Sequence, residues 1–373
     1  MTTLDVFEDE PLRLVEPVAP ASPARQRRSP RRVRSYTADD WFSLLGSLLA
    51  SFALVTVGYL HILDFSGILG FAVCWYVAFL LISATVVSIS NPRYIVVERL
   101  VAATLYVAAG VVILALASTI IYVFAEGWRA LDHVNFFTHD MAGVSPTAPL
   151  TQGGILAAIV GTVIEVGMAM VVAVPLGLGT AVYMTEVQGR GSQLVKTVVE
   201  AMTALPEILA GLFVYVVLII GFGLPKSGLA VAAAMAVTMV PIIARAGEVG
   251  LRVVPSGLRE ASSALGATHW KTVRKVVLPS ARAGLATAVI LAVARGIGET
   301  AIVLIVSGAS SFLTFNPVSE PMNSLPLFIY TAYSTHESIA VTRAFGAAAV
   351  LLAMVLVLFV AIRLLVRTRG GRR

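Results

Sequence analysis

Cysteine, charge and organised histidine are scarce in this sequence, and each scarcity removes a class of function. A single cysteine, Cys74, among 373 residues rules out an internal disulfide and any multi-cysteine metal site. The five histidines, His61, His133, His139, His269 and His336, stand at no metal-ligand spacing, and His133 and His139 read as a solvated pair in a loop. There is no Gly-x-x-x-x-Gly-Lys-Ser/Thr loop to cradle phosphates and no cytoplasmic stretch long enough for a nucleotide-binding domain, so no ATP site and no cofactor are expected. Nor is there a nucleophile, base and acid set of the kind an enzyme needs. Charged residues make up only 13% against 58% hydrophobic, and the mean hydropathy is +0.88. That is too little polar surface to cover a soluble globule of this size, so the chain is expected to be an integral membrane protein in contact with the lipid bilayer. The net charge of +6 comes without the aromatic-basic platform that nucleic-acid binding uses.

Residues 1 to 40 differ from all that follows. Pro20, Pro23 and Pro30 interrupt a basic cluster of Arg25, Arg27, Arg28, Arg31, Arg32 and Arg34, and little there is apolar enough to bury, which predicts a disordered cytoplasmic arm. It is too long and polar to open a signal peptide. Eight apolar stretches of spanning length follow, at about 43 to 62, 67 to 89, 100 to 124, 155 to 184, 203 to 222, 228 to 246, 283 to 307 and 343 to 365. Counting from a cytoplasmic N-terminus, the inside gaps hold Arg93 and Arg99, then Arg190 and Lys196, then Arg252, Arg259, Lys271, Arg274, Lys275 and Arg282, then the arginine-rich tail. The outside gaps hold little beyond Arg129 and Lys226, so both termini are predicted to be cytoplasmic. Pro175, Pro206 and Pro241 fall in spans and read as ordinary kinks. Glu165, alone in the fourth span, reads as buried but hydrogen-bonded. The abundant small residues, Gly161 and Gly177 among them, suit close helix packing.

The longest inside gap runs from Pro255 to Pro279. Pro255 and Ser256 make a helix start, Gly266 a C-cap, Thr268 a second N-cap and Pro279 a stop, which predicts two short amphipathic helices. Leu258, Ala261 and Leu265 share one face of the first, and Trp270, Val273 and Val277 one face of the second. Periodicity alone also allows a hairpin lying on anionic lipid. The spacing says more. Glu260-Ala261-Ser262, Gly266, Val276 and Leu278-Pro279 resemble the cytoplasmic EAA loop of ABC importer permeases, with Ser262 standing where that pattern has a second alanine.

In the next span, Arg295-Gly296-Ile297-Gly298-Glu299-Thr300 resembles the Arg-x-x-Gly-Glu-Thr block of phosphate importer permeases. Phe315-Asn316-Pro317 and Ser324-Leu325-Pro326-Leu327-Phe328-Ile329-Tyr330 are similar to the PstA-type subunit rather than the PstC-type one. Arg245 matches the arginine of a family Arg-Thr-Thr-Glu block, whereas Glu207 stands where phosphate permeases usually show the serine of Pro-Ser-Ile. The resemblance covers about residues 100 to 370. It implies an all-α polytopic membrane protein: a six-helix type I ABC importer permease core over 96 to 373, with a coupling loop at 256 to 279 and two additional N-terminal transmembrane helices at 41 to 95. It implies a multi-pass subunit in the cell membrane, working with a PstC-type second permease subunit, a PstB-type ATPase dimer that binds the ATP, and a PstS-type extracytoplasmic phosphate-binding protein. Glu260, Ala261, Gly266, Leu278 and Pro279 would couple it to the ATPase.

Substrate binding is expected at Arg295, Glu299 and Arg245. Arg295 lies about twelve residues into its span, roughly 18 Å at 1.5 Å per residue. A guanidinium at that depth suits an oxyanion, because its planar fork bonds two oxygens and stays charged. Glu299, four residues on, is expected on the same helix face, holding the arginine when the pathway is empty or accepting a proton from protonated phosphate. A structural ion pair locking two helices is the alternative. Arg245 is expected near the inner end of its span, where it either snorkels or faces the pathway. Glu207 in the pathway would repel an anion, so it is expected near an interface or paired with a basic residue. Permeases for sulfate, molybdate or phosphonate stay open, as does an ion-coupled secondary transporter using Glu165 and Glu299, although no internally repeated halves are present.

Overall fold

A computed structural model describes residues 38–62, 67–187 and 189–368. The basic arm, with its arginine cluster, and the last residues of the tail lie outside them. The chain divides into two units at Val111 and Val112. In the first, α1 (Ala38–Thr56) runs into a π-helical turn, Val57–Ile62, and is followed by α2 (Ile68–Ser90) and the start of α3 (Arg93–Leu131). The Trp75 indole N–H donates to Ser51 Oγ at 3.1 Å, and Phe52 meets the rings of Phe71 and Trp75 edge-on. Tyr76 donates to Thr104 at 3.0 Å, joining α2 to α3.

The second unit carries the rest of α3, the short α4 (Asn135–Thr138), α5 (Leu156–Glu186), α6 (Arg190–Thr203), α7 (Glu207–Val214) with a π-helical extension Tyr215–Gly221, and α8 (Gly228–Arg252). It continues with α9 (Ser256–Ala264), α10 (His269–Thr272), a π-helical turn Val273–Val277, α11 (Leu278–Ile297), α12 (Ala301–Val306), α13 (Leu325–Ser334) and α14 (Ser338–Thr368). Among the described residues the only extended pairing is an isolated bridge between Gly308 and Met322. Among the described residues, seven helices are long and apolar enough to cross a membrane, or up to eight if the bent pair formed by α6 and the α7 segment is one span.

Lipid tails are as apolar as leucine, so these helices are held by close packing rather than by hydrophobic burial. The sequence supplies small residues at the crossings. A Cβ on Gly177 of α5 would lie 2.6 Å from Ile243 of α8, and one on Gly284 of α11 would lie 2.7 Å from the backbone of Gly250 in α8. Ala169, Ala173, Ala230 and Ala234 are buried along the α5–α8 contact. Ser227 and Ser324 cap α8 and α13 by accepting from Ala230 N–H and Leu327 N–H.

One expected span is broken, and another begins at a sharp bend. The stretch at 203 to 222 is helical from Glu207 to Gly221, but α6 before it meets it at 100° across Ala204-Leu205-Pro206. Proline lacks an N–H and disfavours the helical region for the residue before it, so Pro206 becomes the N-cap of α7 rather than a kink within a span. α6 carries Arg190, Gln193, Lys196 and Glu200, a polar face unsuited to hydrocarbon. The stretch at 283 to 307 stops at Ile297 and restarts at Ala301, with Gly298 as the C-cap. Pro279 also departs from expectation. It sits in the first turn of α11, where its missing N–H follows the wider π-helical turn, so a helical path continues from His269 to Ile297 instead of ending.

Candidate functional site

The two breaks face each other. Arg295, in the last turn of α11, reaches Glu207, the first residue of α7. Its Nε donates to Glu207 Oε1 at 2.6 Å and Nη2 donates to the same oxygen. The pair lines a cavity of about 160 Å³ whose walls include Thr203, Leu205, Thr238 and Pro241. Glu207 thus has the basic partner its chemistry demands, and that partner is the residue expected to bind the anion.

Glu299 is not on the helix face of Arg295. Gly298 ends the helix before it, and the Glu299 side chain turns to cap the next one. Its Oε1 accepts from Ala301 N–H at 3.1 Å and Ile302 N–H at 3.3 Å. It remains beside the pair, because its carboxyl lies within hydrogen-bonding reach of Glu207. The four-residue spacing misled because it presumes an unbroken helix.

Arg245 sits in a different group. Its Nη1 lies 3.0 Å from Glu248 Oε2 and its Nη2 lies 3.1 Å from Glu200 Oε1 of α6. Glu248, 3% exposed, also holds Arg252 at 2.6 Å and Lys196 of α6 at 3.6 Å. This cluster at the end of α8 locks α6 against it. Sequence reasoning singled out Arg245 but not the role of Glu248, although the spacing of Arg245, Glu248 and Arg252 at i, i+3 and i+7 places all three on one helix face.

The loop at 256 to 279 follows its sequence closely. Gly266 has φ +76°, and Gly266 N–H and Ala267 N–H donate to Ser263 O and Ser262 O, the paired bonds of a Schellman cap. Thr268 is extended at the start of α10 but makes no side-chain cap bond. Ser262 and Thr272 hydroxyls meet at 2.8 Å, clamping α9 to α10. Val273 and Val277 are buried, whereas Leu258, Leu265 and Trp270 are exposed. Glu260, Ala261, Gly266 and Pro279 are exposed as well, and Leu278 is half-buried. An apolar face flanked by Glu260, Lys271 and Arg274 is therefore left uncovered by the described residues.

Glu165 corrects the expectation of a hydrogen-bonded burial. It is 0% exposed, and neither carboxyl oxygen has a partner among the described residues.

A family description for the binding-protein-dependent transport system inner membrane component matches residues 173–369, from the middle of α5 through the loop, both breaks and α14. The chain belongs to this family. It is 42% identical over 234 residues to the phosphate transport system permease protein PstA 1 of Mycobacterium tuberculosis (strain CDC 1551 / Oshkosh), covering 62% of this chain and 76% of that protein. It is 38% identical to PstA of Mycobacterium leprae (strain TN), covering 62% and 76%, and 35% identical to PstA of Haemophilus influenzae (strain Rd), covering 51% and 68%. The chain is a transport subunit and a multi-pass inner membrane protein. For an inner membrane component of this kind, the broken helices at Arg295 and Glu207 are one place where polar backbone and side chains line a cavity, the setting in which non-helical backbone is tolerated at membrane depth.

Proposed function

We propose that this chain is the PstA-type permease subunit of an ATP-driven importer that moves inorganic phosphate into the cytoplasm. The observation that carries the reading is the 42% identity along 76% of a phosphate permease. The subunit changes the position of a solute and no covalent bond, so hydrolysis belongs to a separate ATPase, and a substrate-binding protein delivers the anion. The second permease subunit is of PstC type, the ATPase dimer of PstB type and the binding protein of PstS type. Both termini are cytoplasmic.

Arg295 is the anion-binding residue. Its cavity location supports this, as does a guanidinium fork that Glu207 already uses as a carboxylate site, since carboxylate and phosphate oxygens present similar acceptors. Glu299 shapes the site by capping α12. Arg245 acts at its edge by fixing α6, whose end residues Met202 and Thr203 line the cavity. Glu260, Ala261, Gly266, Leu278 and Pro279 form the surface that the ATPase grips; the exposed apolar face of α9 supports that role. The two N-terminal helices and the basic arm are additions to the six-helix core.

Phosphate uptake by cells lacking this subunit, complemented with the chain or with Arg295→Ala at equal membrane abundance, tests the reading. Uptake restored by the chain and cut about a hundredfold or more by Arg295→Ala is the expected result, as loss of about 3 kcal/mol of charge-assisted contact implies. Restoration of sulfate or molybdate uptake but not phosphate uptake would transfer the assignment to another oxyanion. Normal phosphate uptake by Arg295→Ala would make the pair a structural lock.

A further inference from the structure

The permease carries an acid where an anion is expected to bind. Glu207 is the first residue of α7, directly after the 100° bend, and its Oε1 takes both the Nε and Nη2 hydrogens of Arg295. Those are the two donors on one edge of the guanidinium fork, the edge that would hold a bidentate oxyanion. The same two side chains line the same cavity of about 160 Å³. The carboxyl of Glu299, fixed by the backbone of α12, stands next to Glu207 but does not line the cavity, so an anion on Arg295 would share the cavity with the Glu207 carboxylate.

An inorganic anion and the Glu207 carboxylate cannot hold those donors together. An anion placed on the arginine's other edge would still lie close to the Glu207 carboxylate, and like charges repel. Glu207 therefore has to leave before the anion enters. The fold provides a place to pivot: Ala204-Leu205-Pro206 is a non-helical link between α6 and α7, and both Leu205 and Glu207 are cavity walls. Cα–Cβ geometry at a helix start allows the side chain to swing while the helix stays in place.

We propose that Glu207 is a built-in occupant of the anion site, a carboxylate that neutralises Arg295 in the resting permease and is displaced by the transported oxyanion. This deepens the reading of Arg295 as the anion-binding residue and rests on it. Its consequence is selectivity by competition: an anion enters only if it outbids a tethered carboxylate, so weakly coordinating anions such as chloride do not leak through a site that would otherwise present an unpaired cation.

The test uses the complete transporter reconstituted in nanodiscs without its binding protein, with equilibrium binding of radiolabelled phosphate, sulfate and molybdate as readouts. Glu207→Gln keeps the shape and removes the charge, and Glu207→Ser is the second variant in case the first fails to assemble. If Glu207 holds Arg295 in nine of ten molecules, removing its charge tightens anion binding about tenfold. Phosphate binding gained in Glu207→Gln or Glu207→Ser, and lost again in the double variant with Arg295→Ala, is the expected result. Glu320→Gln, an exposed acid in the 308 to 324 segment, should change nothing. Gain of sulfate or molybdate binding without phosphate would keep the occupant and overturn the substrate assignment. No gain for any of the three anions in either assembled variant would overturn the proposal and leave Glu207–Arg295 as a helix lock.

Discussion

Arg259 of α9 donates to Glu186 at the end of α5 across 2.9 Å, although the two stand 73 positions apart. The same guanidinium bonds Val254 O at 2.9 Å. The contact joins the exposed loop to a membrane helix that is not its neighbour in sequence, and Glu186 is only 5% exposed in its side chain. Arg259→Ala is expected to uncouple the transporter: ATP consumed per phosphate moved should rise about tenfold, while ATPase association persists. An unchanged ratio of hydrolysis to uptake would show that the contact is not part of the transmission. Loss of association would place Arg259 on the docking surface itself.

Gly266 holds φ +76°, a left-handed conformation in which a Cβ is strained. Gly266→Ala is expected to cost about 1 kcal/mol at the α9–α10 corner and to weaken ATPase binding roughly fivefold. Gly257, in the same loop with open space around it and ordinary φ, is the comparison: Gly257→Ala should bind at least as well as the unaltered chain. Co-purification at graded salt would distinguish them.

Glu248 gathers Lys196, Arg245 and Arg252 around a buried carboxylate. Removing one partner of a buried charge group typically costs about 3 to 5 kcal/mol, so Glu248→Ala should lower the melting temperature of the detergent-solubilised subunit. It should also free α6, seen as faster proteolysis between residues 187 and 206. Arg252→Ala, which removes an exposed partner, should be far milder. Equal effects would deny Glu248 its central place.

Glu165 is buried, and both its oxygens are unpartnered among the described residues. An unsatisfied buried polar group costs about 1 to 3 kcal/mol, so Glu165→Met, which removes the polar atoms, should raise thermal stability with uptake retained, whereas the amide of Glu165→Gln stays unpartnered and should bring no such gain. Loss of uptake by a well-folded Glu165→Gln would assign the carboxyl a part in transport.

Much of the fold was legible because membranes impose simple rules. Apolar length gave the spanning segments, and turn chemistry gave the loop: Gly266 at the corner and Ser256 at the start of α9 stand where the sequence placed them. The misreadings share one cause. Pro206 looked like a kink, Pro279 like a stop, and Glu299 like a helical neighbour of Arg295, because each reading extended a regular helix through a residue that alters backbone geometry. Glu165 was misjudged because hydrogen bonding depends on what other helices present, which one segment cannot reveal.

The sequence by itself determined that the chain is helical and membrane-embedded, and that an arginine and a glutamate lie close together in an apolar run. These follow from composition, length and local spacing. Which acid meets Arg295 was decided only by the tertiary structure. Glu207 is 88 positions from Arg295, and two helix breaks in different segments had to be packed opposite one another before a guanidinium and a carboxylate of such separation could share one bond.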